Sequence, residues 1–160
     1  MAIPLRMLRP ACLLCIISFC ISLTTLRAQG GNTCATAQLI GPGTHRADGL
    51  VSENGAFRAD ARHARWFAFV PPSDGLMSIS SCGGTVDTRL QVYRDDCGAS
   101  VWWVSSDDAC DIDGTNATRN TYAAAVAGLF VEAGDTILIE WDDHWDNNGF
   151  DWELTFQEQP

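Results

Sequence analysis

Short runs of strand-forming residues, each closed by a cluster of Gly, Pro, Asn or Asp, recur from Arg65 to Phe156, and no 3.6-residue apolar period persists between them. A chain punctuated in this way has no room for long helices and must bury its apolar side chains between sheets. The expected strands are Arg65–Val70, Leu76–Cys82, Thr88–Arg94, Val101–Ser105, Thr121–Val131, Thr136–Trp141 and Phe150–Phe156. In the first, Trp66, Ala68 and Val70 alternate with Phe67 and Phe69; in the second, Leu76, Ser78 and Ser80 alternate with Met77 and Ile79. Both patterns predict sheets with one buried face. The turn residues of Pro71–Gly75 and Ala133–Asp135 predict two tight hairpins. Tyr122–Ala127 has helical propensity, but Gly128 interrupts it and Leu129–Val131 leads straight into the Gly134 turn, so a strand is expected there. Residues 29–64 are less legible, with weak strands near Leu39 and Leu50.

The first 28 residues are set apart as an export signal. Arg6 and Arg9 precede an apolar run from Ala11 to Leu23, and Ala28 offers a small residue for cleavage. The run is shorter than the ~20 residues a membrane span needs. The expectation is bacterial export, a signal peptide over 1–28 and a single domain over 29–160, secreted or at the cell surface. Cys12, Cys15 and Cys20 leave with the signal, and none has the context of a lipidated cysteine. Cleavage removes three arginines and no acid, so the mature charge is more negative than the −10 of the whole chain, which contains no lysine. Such a field excludes nucleic acid and anionic membranes as partners and favours cations. Six Trp and seven Phe supply enough apolar surface to exclude disorder.

Cys34, Cys82, Cys97 and Cys110 remain, an even set that predicts two disulfides in an exported chain. No C-x-x-C pair supports zinc instead. Strand direction constrains the pairing. If the chain reaches one rim at Cys82 and runs down from Asp87, Cys97 lies at the far end, and Val101–Ser105 returns Asp107, Asp108 and Cys110 to the first rim. Cys82 can then meet Cys110, leaving Cys34 for Cys97. By the same alternation Thr136–Trp141 brings Asp142 and the loop up to Gly149 to that rim too.

The motifs Trp66-Phe67-Ala68-Phe69, Pro71-Pro72-Ser73-Asp74-Gly75, Ile79-Ser80-Ser81-Cys82-Gly83-Gly84, Asp87-Thr88-Arg89-Leu90-Gln91-Val92-Tyr93, Cys97-Gly98, Ser106-Asp107-Asp108-Ala109-Cys110 and Gly149-Phe150-Asp151-Trp152-Glu153-Leu154, with Asn32–Ala37 before them, stand in a familiar order. In this the chain resembles the bacterial pre-peptidase C-terminal-like domains, over nearly all of residues 29–160. The resemblance implies an all-β, antiparallel jelly-roll-like β-sandwich, related in shape to CUB domains, used as an accessory module of secreted proteases and surface proteins. With an end at Pro160, a free-standing module or a piece of a larger protein is expected.

Calcium takes six to eight oxygen ligands and can collect them from separate loops. Asp87, Asp107, Asp108, Asp142 and Asp143 are the expected ligands, with calcium as cofactor; carboxylates gathered without a cation repel one another. Trp145, flanked by His144 and Asp146 in a polar loop, is the expected contact for a glycan or a surface protein; the other tryptophans fall in strands and are expected in the core. The histidines form no H-e-x-x-H pattern and no G-x-S-x-G elbow occurs, so no catalysis is expected. The alternative role is a structural or self-assembling surface protein in which the rim serves only folding.

Overall fold

The computed structural model describes residues 30–48, 64–96, 102–110, 122–142 and 149–160. Within them a single 3₁₀ turn, Cys34–Thr36, precedes nine strands: β1 Gln38–Ile40, β2 Gly43–Ala47, β3 Ala64–Phe69, β4 Gly75–Ser80, β5 Arg89–Arg94, β6 Trp102–Ser106, β7 Ala125–Val131, β8 Ile137–Asp142 and β9 Phe150–Glu158. They form two sheets, ordered β1-β3-β8-β5-β6 and β2-β9-β4-β7. The eight strands from β2 onward have the double Greek-key order of a jelly roll. The all-β sandwich expected from the punctuated strands is therefore the observed fold.

The core lies between the sheets. Phe67, Phe69, Leu90, Val92, Ile137, Ile139 and Trp141 face it from one side; Met77, Ile79, Val131, Phe150, Trp152 and Leu154 face it from the other. Trp152 is its hub, with ring centroids 4.9 Å from Phe67 and 5.4 Å from Trp141. Burying one such ring removes roughly 200 Å² from water, worth about 5 kcal/mol at ~25 cal/mol per Å². That sum settles the role of Trp66, Trp141 and Trp152, each at most 2% exposed: they hold the fold together.

Several expectations are corrected. The Pro71–Gly75 turn and the Gly134 turn are not hairpins. Each joins strands of opposite sheets, β3 to β4 and β7 to β8. They lie side by side at one end, where Gly134 N–H donates to the Pro71 carbonyl at 3.0 Å and Ala133 N–H to Asp74 Oδ1 at 2.8 Å. Apolar alternation tells which residues face the core but not which sheet a strand joins, so an arch and a hairpin look alike in sequence. One buried face holds for β4 and β9. It fails for β3 and β8, buried on both faces. Trp66, Ala68, Tyr93 and Leu138 form a second cluster on the outside of the five-stranded sheet, with Cys34 and Ala37 packed on it. The sheet is also not wholly antiparallel, since β1 runs parallel to β3. The strand expected from Thr121 starts at Ala125, and β4 stops at Ser80. β2 forms where the sequence predicts no strand; the weak strand expected near Leu50 lies outside the described residues.

Candidate metal-binding rim

Strand direction gathers one set of connections at the end opposite those arches. β5 begins there, where Arg89 pairs in register with Asp142 at the end of β8; β6 ends there, with Ser106 opposite Leu90. Cys82 and Cys110 are disulfide-bonded across this rim with Cα atoms 5.3 Å apart, the pairing that strand direction predicts. Cys34 is disulfide-bonded as well; its expected partner, Cys97, lies outside the described residues.

Hydroxyls at the strand ends clamp the connections. Ser81 Oγ and Thr88 Oγ1 share a hydrogen bond of 2.7 Å, Ser81 Oγ donates to the Ala124 carbonyl at 3.0 Å, and the Ala124 N–H donates to Thr88 Oγ1 at 2.9 Å. Ser106 repeats the device on Ala125, donating to its carbonyl at 2.7 Å and accepting from its N–H at 3.1 Å. Thr88 therefore fixes the residue before it, Asp87, and Ser106 fixes the residue after it, Asp107. Asp108 adopts a left-handed backbone, φ 53°, a conformation Asp tolerates better than most residues, and the chain turns there. As a result Asp87, Asp107 and Asp108 each bring an oxygen to within 4.8 Å of the others, Asp87 half-buried and the other two exposed. Three carboxylates at that spacing repel one another and present a hard, oxygen-only donor set.

Asp142 reaches the same rim but plays a different part. It is buried, 4% exposed, and ion-paired with the half-buried Arg89; it lies outside the three-carboxylate cluster. Asp143, His144, Trp145 and Asp146 lie outside the described residues. No sequence signal singles out Ser81, Thr88 and Ser106, because a hydroxyl at a strand end looks the same whether it clamps a loop or faces water.

Fold and rim together define a disulfide-stapled β-sandwich, antiparallel but for β1, with an acidic end. No family model and no curated protein matches the sequence. Among solved structures the chain is similar to the pre-peptidase C-terminal domain of a collagenase from Bacillus anthracis, at 13% identity and a TM-score of 0.44, over 75% of this chain and 93% of that one.

Proposed function

We propose that this chain is a secreted, non-catalytic accessory module in which calcium, held by Asp87, Asp107 and Asp108, stiffens the acidic rim, and that the rim engages a glycan or protein at the cell surface. The supporting observation is the meeting of three carboxylates from two separate connections, closed on either side by Cys82–Cys110. Peptide carbonyls and water complete the coordination, as is usual where a site offers few side chains. His144, Trp145 and Asp146 are the proposed contacts for the ligand.

Thermal unfolding of the full chain in calcium and in chelator tests the first half. At ten times its dissociation constant the ion adds about 1.4 kcal/mol, a rise of roughly 3–6 °C for a chain of this size. Asp107→Asn is expected to abolish the rise and, by relieving the repulsion among the three carboxylates, to leave the chelated protein no less stable. No rise at roughly 10 mM calcium, above the ~10⁻⁴–10⁻³ M range of extracellular modules, would falsify the calcium site. A glycan array probed with and without calcium tests the second half; a purely structural rim gives no calcium-dependent signal.

A further inference from the structure

A groove of about 430 Å³ opens on the outer face of the four-stranded sheet, beside the rim but lined by none of its three aspartates. Its floor is a row across three strands: Thr44 of β2 and Ser80 of β4 stand opposite Glu153 of β9, one on each side. Residues paired in this way have Cβ atoms ~4.5–5.5 Å apart on the same face. One wall is the backbone of Gly83 and Gly84 with Thr85 and Val86, tied down by the Gly84 N–H to Ser81 carbonyl bond of 3.0 Å and by the adjoining disulfide.

The charges of this groove do not cancel. Its one basic residue among the described lining, Arg46, is already committed: Nε donates to Asp48 at 3.2 Å, Nη1 reaches Asp151 at 3.5 Å and Nη2 donates to the Gly149 carbonyl at 3.2 Å. Those two aspartates hold the guanidinium, whose pKa is raised mainly by the hydrogen bond to Asp48. Glu153 is exposed and has no hydrogen-bond or ion-pair partner among the described residues. An uncompensated carboxylate thus stands between two hydroxyls in the lining of the groove, in a protein whose net field is already negative.

Three ligand chemistries are separated by what the groove offers. Calcium needs six to eight oxygens, and one unpaired carboxylate with two hydroxyls is a poor set. A sugar ring is usually held against an exposed aromatic face, yet the aromatic residues bordering the groove, Phe150 and Trp152, are 3% and 2% exposed. A primary ammonium has three N–H donors and no acceptor, matching an acceptor row of hydroxyl, carboxylate and hydroxyl, and its methylene stem has Val86 beside it. Ser80 Oγ already accepts from the Cys82 N–H at 3.2 Å, which holds it in place with a second lone pair to spare.

From this we infer a lysine-binding groove: Glu153, flanked by Thr44 and Ser80, receives the side-chain ammonium of a protein partner. This goes beyond the calcium rim and does not depend on it. The test is a titration of the ¹⁵N-labelled full chain with Nα-acetyl-lysine methylamide, in chelator so that the rim ion plays no part. Amide signals of Gly83, Gly84, Thr85 and Glu153 are expected to shift together. Glu153→Gln is expected to weaken binding at least about tenfold and Thr44→Val by a smaller factor. Glu158→Gln, the same charge change at the far end of β9, is expected to leave binding unchanged, and Nε-acetylation of the probe to abolish it. Shifts scattered over the acidic surface, equal losses in Glu153→Gln and Glu158→Gln, or retained binding of the Nε-acetylated probe would each overturn the inference. A response to a methyl glycoside but not to the lysine probe would overturn it in favour of a sugar site.

Discussion

Two acidic side chains buried in β8 show how far position alone decides a residue's role. Asp142 is paired with Arg89 inside the rim, and removing one member of a buried pair leaves the other uncompensated, at about 3–5 kcal/mol; because Arg89 is partly exposed, Asp142→Asn is expected to cost nearer 2–3 kcal/mol. The loss should be the same in calcium and in chelator, in contrast to Asp107→Asn, and urea unfolding in both conditions checks it. Glu140, one turn of the pleat back, accepts a hydrogen bond from the phenol of the fully buried Tyr93. Burial first, then that hydrogen bond and the charge of Glu140, push the Tyr93 pKa well above its ordinary 10.0. The folded protein therefore keeps a proton that the unfolded chain gives up above pH 10. Stability from the neutral phenol is whole below that point and falls as pH rises beyond it, by about 1.4 kcal/mol per unit. Tyr93→Phe is expected to lose about 1–3 kcal/mol at neutral pH, because a buried carboxylate loses its donor, and to flatten the alkaline slope. Urea midpoints between pH 9 and roughly 11 report both effects.

The rim is held at the level of elements by the Cys82–Cys110 bond, which joins the β4–β5 connection carrying Asp87 to the β6–β7 connection carrying Asp107 and Asp108. With its ends 28 positions apart in sequence, loop-closure entropy assigns it roughly 3–4 kcal/mol. A Cys82→Ser, Cys110→Ser double variant is expected to lose about that much in chelator and to bind calcium more weakly as well, since the two halves of the cluster are no longer tethered; calorimetric titration separates the two losses. This pairing was legible in the sequence because it follows from strand direction, and six of the seven expected strands from Arg65 onward have ends within two residues of those observed. The long run ending at Val131 starts four residues later than expected. β2 was hidden because Gly43-Thr44-His45-Arg46-Ala47 has no apolar alternation; its strand character comes from pairing with β9. The double burial of β3 and β8 was hidden for a related reason. Glu140, Gln91 and Asp142 look solvent-facing in sequence, and only the cover over the outer face puts them inside. The aspartate cluster was readable as a convergence of connections, whereas the separation of Asp142 from it depends on Arg89, a partner that strand alternation does not reveal.

For the molecule as a whole, the excess of 20 acidic over 10 basic residues makes screening a rival explanation for any stabilising salt. Self-repulsion weakens once the Debye length falls from ~30 Å at 0.01 M to ~8 Å at 0.15 M, so sodium chloride alone is expected to raise the melting temperature. Magnesium and calcium carry the same charge and screen alike at equal ionic strength. They differ in coordination: magnesium demands a near-ideal octahedron at ~2.0–2.1 Å and keeps its waters, while calcium accepts six to eight ligands at ~2.3–2.6 Å in flexible geometry. Carboxylates contributed by two separate connections, completed by carbonyls and water, suit the ion that accepts the more flexible geometry. Melting curves at matched ionic strength in sodium, magnesium and calcium chloride should therefore rank sodium and magnesium together and calcium several degrees above them. Asp87→Asn should erase only the calcium increment and leave the screening increment intact. Equal shifts in magnesium and calcium would assign the whole effect to the net field, and the carboxylates of the rim would then be a solvated acidic end with no ion of their own.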